Sequence, residues 1–408
     1  MDLLNLTARY VFPVESPPLP GGVVAIENGR IVSVDRHVAG QTVTDLGNVA
    51  ILPGLVNAHT HLEFSHLKSP LGEQGMSLPA WLRQVIASRA DAANVAADTL
   101  RAGLDECLRS GTTMLGEIAT APWPLDPPVN SPLAVTVFRE LIGHSADDVS
   151  GRLAQAEAHL DAPWPERVLP GVSPHAPYTV HPELLARLTA LSAQRRVPLA
   201  FHLAESPEEI AFLQGGAGPF RQLLEERGVD PTGIIVRGSR PLDYLRPLAA
   251  AHRALVIHGN YLDDEEIAWL AEHRETISVV YCPRTHAYFG HSAYPLAKML
   301  EAGVNVALAT DSRASNPDLS LLAEMRHVAR RDAIPLSTVL ELGTIRGAQA
   351  LGRSESSGRL RAGAPADLCI VELPDHDAGD PHELVLCAEG PMSASYVRGR
   401  VYDNGAGE

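Results

Sequence analysis

Between residues 49 and 309 the chain repeats one pattern eight times: a short apolar run of strand character, then a helical or amphipathic stretch. The runs are Val49-Ala-Ile-Leu-Pro-Gly-Leu-Val-Asn-Ala58 leading into His59, Thr112 to Glu117, Ala134 to Phe138, Val168 to Ser173, Pro198 to His202, Ala254 to His258, Thr276 to Tyr281 and Val304 to Ala309. Strands joined through helices pair in parallel, and eight such units close on themselves. The expected fold is α/β, a TIM-type (β/α)₈ barrel over residues 51–365. An open doubly wound sheet is the main alternative, but no Gly-x-Gly-x-x-Gly or Walker loop follows any run.

The two ends read differently. Residues 1–50 carry short β-like runs broken by turns, as in Gly22-Val-Val-Ala-Ile-Glu-Asn-Gly29 followed by Arg30-Ile-Val-Ser-Val34, and residues 366–408 have the same texture. Together they are expected to build one small β-sandwich. A net charge of −16 and a pI near 5.5 repel nucleic acid and anionic membrane surfaces. No apolar stretch approaches the roughly 18 residues of a membrane span, and Met1-Asp-Leu-Leu-Asn5 lacks the basic start of a secretory signal. A cytoplasmic protein is expected. Cys107, Cys282, Cys369 and Cys387 are widely spaced and read as buried thiols, neither a disulfide framework nor a thiolate zinc site.

In a barrel of this kind the C-terminal ends of the strands converge on one face. Strand one ends at His59 and His61, two apart and so on one side of an extended chain; strand five ends at His202, strand six at His258 and strand eight at Asp311. Three imidazoles and a carboxylate suit Zn²⁺, or Fe²⁺, with a position left for water. A histidine at a strand end is ordinarily a hydrogen-bonded loop residue, and only the whole set makes the metal reading the stronger one. Glu205, three residues after His202, can reach water at such an ion without being a ligand. The chain has only two lysines, Lys68 and Lys298, and neither ends the fourth strand, where two-metal barrel hydrolases usually bridge their ions with a carboxylated lysine. One divalent ion per chain is expected.

With Pro53-Gly-Leu-Val-Asn-Ala-His59-Thr-His61, His202-Leu-Ala-Glu205 and Thr310-Asp311 followed by Ala314-Ser-Asn316, the chain resembles the amidohydrolase superfamily, in its branch of deaminases and chlorohydrolases, over nearly all its length. Three further segments, His61-Leu-Glu-Phe-Ser65, Glu140-Leu-Ile-Gly143 and His175-Ala-Pro-Tyr-Thr-Val-His181, are similar to those of the 6-aminodeoxyfutalosine deaminases of menaquinone biosynthesis. The resemblance implies His59, His61, His202 and Asp311 as metal ligands, Glu205 as proton shuttle, and His258 as the group that orients and polarises the water. Two segments depart from the family: Pro283-Arg-Thr-His-Ala-Tyr-Phe-Gly290 replaces Pro-x-Ser-Asn after strand seven, and Ser312 replaces the glycine usual after the strand-eight aspartate.

A divalent ion lowers the pKa of the water it binds from 15.7 to about 7, giving a hydroxide able to attack an electron-poor ring carbon that carries an amino group. Asp311 or His258 would take its proton, and Glu205 would protonate the ring nitrogen and then the departing ammonia. Glu140 and His175 are candidates for ring and ribose contacts, and Arg284 for a carboxylate on the substrate. Trp81 reads as core. The expected ligand is an aminated heterocycle or nucleoside, with 6-aminodeoxyfutalosine favoured, and a homodimer is the candidate assembly. Methylthioadenosine, S-adenosylhomocysteine, adenosine and guanine deamination and triazine dechlorination stand as alternatives. A catalytically silent metal-binding barrel is a more distant one, since Glu205 and His258 are both present.

Overall fold

The computed structural model describes residues 3–35, 42–91, 97–120 and 126–403. Eight parallel strands follow one another in chain order around the barrel: strand one is Leu55–Thr60, two Thr112–Ala119, three Ala134–Leu141 and four Val168–Pro174. Strand five is Pro198–Leu203, six Arg253–His258, seven Ile277–Tyr281 and eight Val306–Leu308. All eight lie where the apolar runs place them. Just beyond strand eight, the Asp311 N–H donates to the His59 carbonyl at 3.1 Å, bringing the last strand against the first. Asn57 stitches the same seam with its side chain, donating to Thr310 Oγ1 at 2.8 Å and accepting from the Thr310 N–H at 3.1 Å.

Side-chain parity builds two cores. In strand six Ala254 and Val256 pack outward with the helix layer, while Leu255 and Ile257 join Ala200, Val280 and Ala307 inside the barrel. The short helix Ile345–Ala350 contributes Ala348 and Ala350 to that inner cluster. Helix starts follow local chemistry, as at Asp263, whose carboxylate accepts from the Glu266 N–H while Glu266 accepts from the Asp263 N–H.

The apolar run expected as one strand is two. Val49–Pro53 pairs antiparallel with Leu368–Glu372 in a six-stranded sheet made from both chain ends, and only after Gly54 does Leu55 enter the barrel. At Gly54 the corner passes so close to strand two that a Cβ would sit 2.0 Å from Thr113 Oγ1. The six-stranded sheet and a four-stranded one built on Leu3–Thr7 and Val23–Glu27 share a core of Leu6, Val24 and Ile26 against Ile51, Leu368 and Ile370. Of the cysteines, Cys387 is exposed; the other three are buried. Among the described residues no helix is long and apolar enough to cross a membrane.

Candidate active site

At the C-terminal mouth of the barrel, the His59 ring centroid lies 4.8 Å from that of His61 and 5.0 Å from that of His202, and His202 lies 5.6 Å from His258. Asp311 Oδ1 stands 3.6 Å from His59 Nε2 and 3.8 Å from His61 Nε2, too long for hydrogen bonds. Both ring nitrogens of His59 and Nδ1 of His61 are buried without a hydrogen-bond partner. Such orphaned atoms cost about 1–3 kcal/mol each unless something engages them. The donor atoms of His59, His61 and Asp311 lie within 4.8 Å of one another, as do those of His59, His202 and His258. Two ligands of one Zn²⁺ lie at most about 4 Å apart, each being about 2 Å from the ion, so a small contraction completes the geometry and the group fits a divalent ion.

Charge states suit the same conclusion. Burial, reinforced by neighbouring imidazoles, holds His61 and His202 well below the ordinary histidine range, and burial takes His258 down to about 3 despite nearby Asp311. Their lone pairs are therefore free at neutral pH. His202 Nδ1 lies 3.1 Å from the His175 carbonyl, which makes that nitrogen the donor and leaves Nε2 for the site. Burial opposes ionisation of Asp311, yet His59, His61 and His258 hold its carboxyl below the usual range.

Three of these strand ends carry left-handed backbone at residues other than glycine: Ala204 (φ 55°), His258 (φ 71°) and Asp311 (φ 61°). At His258 the reversal has a visible purpose. Ile257 already points into the barrel, so plain alternation would turn His258 outward, and the positive φ brings it back to the site. Each such residue costs about 1–2 kcal/mol, and local bonds hold the conformation: Tyr294 donates to the His258 carbonyl at 2.9 Å, and Ser315 to Asp311 Oδ2 at 3.2 Å. Glu205 follows the Ala204 turn and places Oε1 3.4 Å from His258 Nε2. Burial first, then the charges of Asp311 and Glu209, push its carboxyl well above the ordinary range, so it holds a proton readily.

A cavity opens above these groups. Glu140 and His175 line it, with His175 Nε2 4.0 Å from Glu140 Oε1, and so does Ser312. Arg284 does not. Its guanidinium is taken up by Asp318 (Nη2 to Oδ1, 2.6 Å) and by fully buried Glu324 (Nε to Oε1, 2.6 Å), away from the cavity. This corrects the expectation that it meets a substrate carboxylate. Thr285 and His286 likewise support the site from behind, Thr285 bonding Ser315 and His286 packing on Tyr281 and Tyr294.

The basic residue that does line the cavity is Arg89, which sequence reasoning missed. Helix Leu78–Asp91 presents Trp81, Val85 and Arg89 on one face, and that i, i+4, i+8 spacing was the available signal. Arg89 is paired with buried Glu63. Trp81 is both core and wall: its indole N–H donates to the Ala314 carbonyl at 3.2 Å, and its ring packs edge-on against Phe289. Past Arg89, His175 and Tyr178 lies a second chamber of about 360 Å³, walled by Leu82, Val85, Ile142, Leu223, Leu224 and Val229, with Arg227 and His144 at its edge. Among the described residues no acidic side chain lines it, and Arg227 forms no ion pair.

Residues 50–396 match the amidohydrolase family. The chain is 31% identical to a 5-methylthioadenosine/S-adenosylhomocysteine deaminase of Moorella thermoacetica, covering 96% of this chain and 92% of that one. Among solved structures it is similar to a zinc-bound adenosine deaminase of Xanthomonas campestris, with a TM-score of 0.78 at 26% identity over 98% of this chain and 92% of that one. It shares its fold with the aminofutalosine deaminase of Helicobacter pylori in complex with methylthio-coformycin, with a TM-score of 0.86 at 22% identity over 98% of this chain and all of that one. The chain belongs to the amidohydrolase family and is a hydrolase acting on carbon–nitrogen bonds other than peptide bonds.

Proposed function

We propose that this amidohydrolase removes the amino group from C6 of an adenine-type nucleoside bearing an apolar, anion-tipped 5′ substituent, with 6-aminodeoxyfutalosine of menaquinone biosynthesis the favoured substrate, and that it works in the cytoplasm. His59, His61, His202 and Asp311 would hold one divalent ion, Zn²⁺ by the character of the donors and by likeness to the zinc-bound relative. When bound, that ion supplies an acidified water at neutral pH. The protein's own groups do the rest. His258, uncharged, orients the attacking water, and Asp311 takes its proton. Protonated Glu205 delivers its proton to the ring nitrogen beside C6, then takes the proton of the new C6 hydroxyl and passes it to the amino group. As the C6–N bond breaks the electron pair leaves with nitrogen, and the proton held by Asp311 returns to Glu205. Water is consumed, ammonia is released and C6 becomes a carbonyl. Glu140 would accept hydrogen bonds from ribose hydroxyls, and His175 would meet the ring.

The observation that carries the substituent is the second chamber. Its apolar walls suit an aromatic or aliphatic linker, and Arg227 at its edge offers a guanidinium group to an anion. An amino-acid tail would bring an ammonium group, which finds no acid among the described lining residues. A methylthio group would leave most of the chamber unfilled. These two points favour a lone carboxylate on an apolar arm over the substrates named for the Moorella thermoacetica relative. The test is ammonia release with 6-aminodeoxyfutalosine, methylthioadenosine, S-adenosylhomocysteine, adenosine, guanine and an aminotriazine. The carboxylated nucleoside should have the highest kcat/KM by at least about tenfold, equivalent to about 1.4 kcal/mol. A flat profile among the nucleosides removes the substituent from the reading; turnover of the triazine or guanine alone removes the nucleoside.

A further inference from the structure

Glu209 is buried in the first turn of helix Pro207–Gly215, three residues after the N-cap Ser206. A glutamate at that position ordinarily reaches back to the N-cap N–H and closes a capping box. Half of the box is present: Ser206 Oγ accepts from the Glu209 N–H at 3.2 Å. The other half is redirected. The Glu209 carboxylate goes instead to the two residues before the cap, Oε1 accepting from the Ala204 N–H at 2.8 Å and Oε2 from the Glu205 N–H at 2.8 Å. The carbonyls of the same two residues are fixed from strand six's loop, Ala204 by the Tyr261 N–H at 3.1 Å and Glu205 by Asn260 Nδ2 at 2.8 Å. Every backbone polar group of this dipeptide is thus held, and two of the four holds come from one side chain. The dipeptide contains the left-handed Ala204 that aims Glu205 at the site.

We propose that Glu209 is a positioning residue for catalysis, its two carboxylate oxygens clamping the left-handed turn at Ala204 so that the Glu205 side chain stands at the reacting atoms. This rests on the reading of Glu205 as the proton carrier. Only a carboxylate fits the role. Two N–H donors converge on it, and a glutamine amide would turn its own NH₂ against one of them. With one clamp gone, the turn relaxes toward negative φ and the Glu205 carboxyl withdraws.

The test is Glu209→Gln, alone and in a Glu205→Gln background, on metal-loaded full-length protein. Alone, kcat should fall by on the order of tenfold to a hundredfold, the scale of a 1 Å misplacement, with KM within about twofold and metal content unchanged. In the Glu205→Gln background the same substitution should cost nothing further, because it acts through Glu205. A crystal structure of Glu209→Gln should show Ala204 away from positive φ and Glu205 displaced from His258. Unchanged kcat, an equal loss in both backgrounds, or an unmoved Ala204–Glu205 turn overturns the proposal. If Glu209→Gln does not fold, Glu209→Asp, which keeps the carboxylate but draws it back from the two N–H groups, takes its place in the same comparisons; kcat equal to native then overturns the proposal. If native protein turns over none of the amines tried, the proposed function fails, and the crystallographic comparison still decides the role of Glu209.

Discussion

Replacing Glu205 by glutamine should separate activity from stability, with opposite signs. Glutamine matches the protonated carboxyl in shape and can donate a hydrogen bond to the same partner, so substrate binding is retained. It cannot pass a proton. Positioned acid–base groups contribute about 10²–10⁴-fold, so kcat should fall by about 2.7–5.4 kcal/mol in barrier, with KM little changed. Stability should move the other way. Burial and the charges of Asp311 and Glu209 raise the Glu205 pKa in the folded protein well above the 4.5 of the unfolded chain. From pH 4.5 upward the unfolded chain releases this proton while the folded protein keeps it, so native stability declines by up to about 1.4 kcal/mol per pH unit until the folded pKa is passed. Glutamine has no such term. Metal-depleted Glu205→Gln should match the native protein in denaturant resistance below pH 4.5 and exceed it increasingly above. The measurements are single-turnover kinetics at equal metal content and denaturation of metal-depleted protein from pH 4 to 8. A kcat within tenfold of native would make Glu205 an ordinary helix-start residue; a variant that gains nothing on native protein as pH rises would refute its placement as a buried, proton-holding carboxyl.

His202→Ala should reduce bound metal from one ion per chain to near zero by elemental analysis, and two ions in active native protein would end the mononuclear reading. Arg284→Met should destabilise the protein, because removing one partner of a buried pair costs about 3–5 kcal/mol. The low end is expected, since Asn316 Nδ2 still donates to Glu324 at 2.6 Å and the half-exposed Asp318 end counts for little. The KM of the carboxylated nucleoside should not change, and a rise beyond about threefold, roughly 0.65 kcal/mol, would return Arg284 to the substrate.

The eight strands were legible because each is a buried apolar run, and a set of candidate metal ligands at the ends of three of them is hard to produce otherwise. The break at Gly54 was not. Both halves of the run are fully buried, so no polar residue marks the passage from end sheet to barrel, and the steric demand comes from Thr113, which sequence does not place there. Arg284 misled for a related reason. Its position after strand seven is right for a substrate contact, but its fate is decided by Glu324, forty residues later and invisible as a partner. Arg89 was hidden inside a helix whose site-facing stripe reads as an amphipathic core face. The left-handed backbone at His258 and Asp311 carries no sequence mark, since neither position is a glycine.

The pairing of Val49–Pro53 with Leu368–Glu372 sets an order of assembly during synthesis. Pro53 and Cys369, which meet in that pair, are 316 residues apart, so at about 5–20 residues per second the early strand waits on the order of 15–60 s for its partner to be made. Closing a free loop of that length costs about 5 kcal/mol from the logarithmic term alone. A barrel that is already closed removes most of this cost by holding Leu55 and the chain beyond Leu308 side by side. The strand bearing His59 and His61 is therefore expected to be seated in the barrel while its upstream continuation is still an unpaired edge, and the nascent chain is most open to wrong β-pairing at Val49–Pro53.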